Sequence, residues 1–415
     1  MPMPARQSGH LLIWRKHTRE LIMRGNTNYM NVVYEATKNK IMNTTGEYGK
    51  VEQNREERTY MNKIIHKVKI LLFLAISLLG TNHITAQAQN TPNEIKTYGY
   101  YQYQYDQETD SIHIVGYRGD EEVVVIPSEI EGNPVTEIDG FGDWNESCHK
   151  DMLENVKEVY IPEGVVKIGV QAFYCCATIE KIQLPSSLKI IEYGAFWECS
   201  MLAEVKLPDS LERIEDCAFA GCSSIKEINI PDTVTKVGYS AFGGCSKLSK
   251  VKLSNNLTVI EEDSFSWCNI KSIQIPDKVT KIEKNAFRRN KLKEVKIPSN
   301  VTHIGAYAFS FNKLKKVTIP SNVTHIGGYA FWSNSSLEEI TISSGVKQIG
   351  YESFAKCKNL RKIKIKGTKI KTIKKGAFLD IHKKAIFDVP NKLKRKYKKM
   401  LIASNSFNEK TMKIK

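Results

Sequence analysis

Nine cysteines stand in this 415-residue chain, and six of them recur in one register: Cys176, Cys199, Cys222, Cys245, Cys268 and Cys357. Aligned thiols could supply disulfides in an exported chain, or thiolates for a soft metal ion. The same register, however, carries Asn290, Asn312 and Asn334, and an amide can do neither job. What Cys and Asn share is a small side chain able to bond with turn backbone, weakly through the thiol and well through the amide. The column is therefore expected to be a buried structural ladder, with no metal and no cofactor. The off-column Cys148, Cys175 and Cys217 remain candidates for disulfides.

Other chemistry is sparse. His303 and His325 occupy the same slot of two near-identical stretches, Ile-Pro-Ser-Asn-Val-Thr-His-Ile-Gly at 297–305 and 319–327. A duplicated, stacked surface pair explains them better than a ligand pair. Glu261-Glu262-Asp263 is the densest acidic spot and is read as a solvated corner rather than as paired acid and base groups. No Gly-rich phosphate loop, zinc spacing or nucleophile elbow occurs. The expectation is a protein without catalytic residues.

The elements that hold these residues are set by a repeat. Ten Phe residues stand at 173, 196, 219, 242, 265, 287, 309, 331, 354 and 378, at intervals of 22 to 24 residues. Such a period marks a solenoid. Ahead of each Phe runs a strand with inward aliphatics, for example Leu202, Val205 and Leu207, whose last two are two apart and share a face. A Pro usually follows and ends the strand, and a second apolar pair such as Val301 and Ile304 starts the return path. Strands stacked about 4.8 Å apart give ten coils a span of about 50 Å. The fold expected is a leucine-rich repeat solenoid, mainly β with short helical or 3-10 turns, of about ten regular coils with N- and C-terminal caps.

Several segments lie outside the period. Lys63, Lys67 and Lys69, the apolar run from Ile70 to Leu79, and Thr85-Ala86-Gln87-Ala88 have the three-part form of a secretory signal. Residues 61–88 are read so, with residues 1–60 as a non-native extension from an early start and an exported chain beginning at Gln89. The apolar run is half of what spans a bilayer, and no transmembrane helix is expected in the mature chain. Residues 89–155 read as a β cap of alternating aromatics, from Tyr98 to Tyr117, followed by a degenerate first repeat. An insertion around Trp144 to Met152 stretches that repeat. Residues 156–380 form the regular array and 381–415 a basic cap. Charge follows the same division: residues 89–355 carry a net −9, residues 356–415 a net +18, and residues 1–88 the remaining +7 of the total of +16.

The run Leu-x-x-Val-x-Ile-Pro-x-x-Val-x-x-Ile-Gly-x-x-Ala-Phe-x-x-Cys, nearly whole at Ile228 to Cys245 and at Val295 to Asn312, resembles the BspA-type (Treponema-type) bacterial leucine-rich repeat. The resemblance covers roughly residues 123–390. The end from Ala385 to Pro390, followed by Lys394, Tyr397, Lys398, Lys399 and Leu401, is similar to that family's closing strand and basic cap helix. It implies an exported bacterial protein of the cell surface or medium, in a family with members implicated in adhesion to host matrix proteins and other bacteria. It supplies no catalytic residues. No second long apolar segment, Ser/Thr-rich stalk or sorting motif follows residue 390, which leaves release or charge-mediated association open.

Function is then expected on surfaces. Solvent-facing positions of the first strand form two columns that include Glu158, Lys181, Glu204, Glu227, Lys250, Glu294 and Lys316, and Tyr160, Gln183, Lys206, Asn229, Lys252, Gln274, Lys296 and Thr318. The first strand is the usual contact face of such arrays, so a protein-binding or glycan-binding surface is one reading. A solvated sheet with mixed charge, in a structural spacer or envelope component, is the other. Tyr174, Trp197, Trp267 and Trp332, beside the recurring Phe, and Trp144 in the insertion are candidate aromatic contacts. Lys362, Lys364, Lys366, Lys371, Lys374, Lys375 and Lys392 to Lys399 could attract an anionic envelope or host polymer, or could be a solvated cap. The partners expected are a host matrix protein, another bacterium or a glycan, with no nucleic acid, and the chain is expected to be a monomer.

Overall fold

The structure is a computed structural model that describes residues 94–141, 153 and 155–415. The expected signal and extension, Trp144 and Cys148 lie outside the described residues. The chain opens with an antiparallel meander, β1 (Lys96–Tyr98), β2 (Tyr101–Asp106) and β3 (Ser111–Tyr117). Strand β3 then pairs in parallel with Asn133–Ile138, and this junction turns a meander into a solenoid. From there every coil adds one short strand to a parallel ladder, from Lys167–Ile168 through Ile190–Ile191, Arg213–Ile214 and Lys236–Val237. A second segment of the ladder runs from Val259–Ile260 to Thr372–Ile373.

The first strands stack on their own face, in pieces. One piece runs from Val123–Val125 to Glu204–Val205, a second pairs Glu227–Asn229 with Lys250–Lys252, and a third runs from Lys316–Ile319 to the closing strand Lys413–Ile414. Continuous strands were expected at 270–275 and 292–297, but only a single bridge between Gln274 and Lys296 forms there. These coils are one residue shorter between the column position and the next aliphatic, as in Asn290-Lys291-Leu292 against Cys245-Ser246-Lys247-Leu248. The bonds that enter these two segments are long, at 3.5 Å for Lys271 N–H to Ser249 O and 3.4 Å for Lys293 N–H to Lys271 O.

The turns around each Phe are not helical. Gln171, Gly194, Cys217, Ser240 and their successors two residues before each Phe have positive φ, and so do Cys175, Glu198, Gly221, Gly244 and their successors two residues after it. A left-handed residue on each side breaks any helix. It also turns alternate N–H groups along the array: Gln171, Phe173 and Cys175 donate to Tyr193, Ala195 and Trp197 of the next coil at 2.7 to 2.8 Å. The side of the coils that carries the Phe turns is thus a third hydrogen-bonded ladder, which satisfies backbone that would otherwise be buried and unpaired. Among the described residues, helix occurs only at the end, as a 3-10 turn at Asn391–Leu393 and α1 (Lys394–Ala403).

Phe side chains form the spine of the core. Adjacent rings from Phe173 to Phe378 lie 5.0 to 5.9 Å apart and within 18° of parallel. Offset pairs of this kind contribute about 0.5–1.5 kcal/mol beyond burial. The spine reaches further than the ten-fold period: Phe141 lies 4.8 Å from Phe173, tilted by 36°, and Tyr117 stacks on Phe141 at 4.8 Å. It ends where Phe387 meets Phe378 edge-on at 89° and Phe407 meets Phe387 at 70°. Counting the coils that the caps contribute, the array has about thirteen turns rather than ten.

Candidate functional site

The thiol column lies inside the coils. Cys199, Cys222, Cys245, Cys268 and Cys357 each donate from Sγ to the carbonyl of the Phe one coil back, at 3.0 to 3.3 Å. Asn290, Asn312 and Asn334 donate from Nδ2 to the equivalent carbonyls at 2.7 to 2.9 Å. Cys176, the first of the column, has only a long contact to Tyr174 O at 4.0 Å. Burial pushes the thiols of Cys176, Cys222, Cys245 and Cys268 up, and that of Cys357 to about 12. A thiolate, the form that attacks or binds metal, is thereby suppressed. Among the described residues, Cys175, Cys217 and the column thiols form no disulfide.

The amides do something the thiols do not. In the three short coils, the N–H groups of Ile270, Leu292 and Leu314 have lost the in-coil acceptor that Leu248 finds at Cys245 O. Each donates instead to the Oδ1 of Asn290, Asn312 or Asn334 in the following coil, at 2.9, 3.0 and 3.3 Å. Asn stands one coil after each shortening because only an amide can both donate and accept there.

Among the described residues, one group of three potential metal ligands exists, and it contains no thiol: His113, Glu137 and Asp139. It sits at the junction of meander and solenoid. His113 Nδ1 lies 3.2 Å from Asp139, and Lys167 forms an ion pair with Glu137 and lies 4.0 Å from Asp139. A hydrogen bond to Asp139 holds His113 above its ordinary value. With an ammonium already between the carboxylates, the group is a charge network that joins strands. Sequence reading missed it because its members are brought together across three strands with no common spacing.

The first-strand columns divide into paired and unpaired charge. Glu158, Tyr160 and Lys181 form one cluster: the Tyr160 hydroxyl donates to Glu158 at 2.7 Å and Lys181 reaches Glu158 at 3.2 Å. Lys250 pairs with Glu227 at 3.3 Å, and Lys364 with Glu339 at 2.7 Å. Lys206, Lys252, Lys296 and Lys316 are exposed and, among the described residues, join no ion pair. Gln183, Glu204, Asn229, Gln274, Glu294 and Thr318 are exposed between them.

The aromatic candidates separate. Trp197 is buried and meets Tyr174 edge-on at 5.3 Å. Trp332 is half-buried, edge-on to Phe311 at 4.6 Å. Trp267 is not in their column: it stands two residues after Phe265, with φ of 57°, and is 47% exposed. Arg289 and Phe311 follow it in that left-handed column, with the guanidinium carbon 4.1 Å from the Trp267 ring centre and 4.3 Å from that of Phe311. A bulky residue in this conformation costs on the order of 1–2 kcal/mol, and an exposed cation–π contact returns about 0.5–1 kcal/mol.

At the C-terminal end, α1 is anchored by buried Tyr397 and Leu401, and the Tyr397 hydroxyl donates to Gly367 O at 2.5 Å. Of the cations from Lys356 onwards, among the described residues only Lys364 and Lys398 join ion pairs, with Glu339 and Glu409. Lys396 bonds to Ile370 O at 3.0 Å. No described helix is long and apolar enough to cross a membrane.

A family model described as the BspA type leucine rich repeat region matches in overlapping stretches, 145–268, 213–338, 258–383 and 329–413. No curated protein matches the chain. Among solved structures, the array is similar to a leucine-rich repeat protein from Bacteroides ovatus, at 23% identity over 77% of this chain and 90% of that one, with a TM-score of 0.56. It is also similar to a leucine rich cell surface protein from Faecalibacterium prausnitzii, at 26% identity over 79% of this chain and 96% of that one, with a TM-score of 0.52.

Proposed function

The chain belongs to the BspA type leucine rich repeat family, and from that premise we propose that it is an exported bacterial binding or adhesion module that engages proteins or glycans through the first-strand face. Proteins built on this repeat generally act as binding or surface modules, and extended arrays offer surface rather than pockets. The observation that carries the reading is the set Lys206, Lys252, Lys296 and Lys316, exposed and, among the described residues, without ion-pair partners on a face where Lys181, Lys250 and Lys364 are paired. An unpaired cation loses less on docking, since no ion pair must be broken. Residues 61–88 serve as the secretory signal in this reading, and the similarity to a cell surface protein supports a destination at the surface or in the medium. Residues 89–155 and 381–415 cap an array that does the binding.

The test is capture of the chain by immobilised bacterial envelope extract and by host matrix preparation, compared with a variant carrying Ala at all four lysines. Capture is expected to fall at least tenfold with unchanged melting. Equal capture would favour the rival reading, a structural spacer without a specific ligand.

A second contact has its own support. The basic end carries a net +18 over residues 356–415 with two ion pairs among its described cations. We infer that it holds an anionic polymer of the envelope or host. Removing the end would uncover Phe378 and Phe387, so the variant to use is Lys392→Gln with Lys394→Gln and Lys399→Gln, at exposed positions. Retention on heparin is expected to shift to lower salt; an unchanged elution would assign these lysines to solvation alone.

A further inference from the structure

Between Glu198 and Trp267 the left-handed column after the Phe carries no side chain, because the two intervening coils have Gly221 and Gly244. The Trp267 ring is stacked from the C-terminal side by Arg289, at 4.1 Å from its centre. Its other face is therefore turned along the array toward Gly244. A Cβ built on Gly244 would meet only Gly221 within 4 Å, so that space is open. At the far side the Glu198 carboxylate lies over Gly221, its carbon 2.8 Å from where a Cβ would stand. A hydrogen bond from buried Trp197 holds that carboxylate. The result is a notch two coils wide, floored by glycine, with an indole face as one wall and a carboxylate as the other.

The spacing of the Phe spine at these coils is 5.3 and 5.5 Å per step. A flat ring in van der Waals contact with both walls needs roughly 7–8 Å of contact distance, which two steps provide. An indole face receives the C–H groups of a sugar ring, and a carboxylate accepts hydrogen bonds from its hydroxyls while repelling acidic sugars. Trp267 is not required by the core: it is 47% exposed, its only ring contact among the described residues is Arg289, and its column is met by glycine in the two preceding coils. We propose that this notch binds one neutral pyranose ring of a glycan, stacked on Trp267 and hydrogen-bonded to Glu198. The proposal deepens the binding-module reading and rests on it for the class of partner.

The experiment uses the full chain and four neutral trisaccharides as probes: chitotriose, mannotriose, maltotriose and xylotriose. Saturation-transfer NMR and a titration of tryptophan fluorescence report binding. Trp267→Gly restores the residue type of the preceding coils and removes the platform. Gly244→Arg fills the notch in the way Arg289 covers the other face. Melting curves establish that both variants fold. At least one trisaccharide is expected to bind the unaltered chain at millimolar concentration, with affinity reduced tenfold or more in each folded variant. Absence of binding by all four sugars, or binding that survives both substitutions, overturns the proposal. The two readings fail separately. Absent sugar binding removes the notch and leaves the lysine face untouched, whereas a quadruple lysine variant captured as well as the unaltered chain removes the face and leaves the notch.

Discussion

The side chain at the third position after each Phe carries a specific share of the backbone accounting. Asn312 donates to Phe287 O and accepts from Leu292 N–H of a short coil, whereas Cys222 donates to Phe196 O and, after a full-length coil, has no such N–H to serve. Asn312→Cys leaves a buried N–H without an acceptor, which costs about 1–3 kcal/mol. Cys222→Ser keeps a donor and is expected to cost less. Denaturant unfolding of the two variants checks the order, and equal losses would show that the acceptor is not what the amide supplies. The exchange of Cys with Asn was legible in the sequence as a backbone-bonding ladder. Its placement was also written there, in the 22-residue spacings that begin at Phe265, but the acceptor was not. The N–H that the amide serves belongs to the previous coil, about twenty residues away, and only stacking brings it there. The His113, Glu137, Asp139 and Lys167 network was illegible for the same reason, since no period relates its members.

At the scale of the coil, one Phe and two left-handed residues do most of the shaping. The period of the Phe fixes the stack, so the fold class could be read directly from the chain. The extra rung at Phe141 could not, because it stands 32 residues before Phe173. The rings nonetheless continue through it, Phe141 lying 4.8 Å from Phe173. Around the Phe, positive φ on both sides gives a ladder between coils, a choice that depends on neighbouring coils and leaves no composition signal, as Trp267, Arg289 and Phe311 in that column show. Phe242 is fully buried between Phe219 and Phe265. Phe242→Ala is expected to lower stability by about 3–5 kcal/mol, measured by denaturant unfolding. A loss well under that range would mean that the spine closes over the gap and is not the main source of cohesion.

The whole molecule is an array whose ends are closed differently: an antiparallel meander at the start, and edge-on Phe387 and Phe407 with α1 at the finish. Charge separates along it, with a net −9 over residues 89–355 and +18 after them. In the proposed reading, that asymmetry would orient the basic end toward anionic surfaces and leave the array to dock. Which face docks was only partly legible. Solvent-facing columns follow from strand alternation, but which lysines are already paired depends on neighbours one coil away: Lys250 forms an ion pair with Glu227, whereas Lys252 joins none among the described residues. The most direct measurement of the central claim is lysine-reactivity footprinting of the chain, alone and while held by an envelope or matrix preparation. The account predicts protection of Lys206, Lys252, Lys296 and Lys316 in the bound state, with Lys250 changing less. Protection confined to other faces, with these four lysines as reactive as in the free chain, would contradict it.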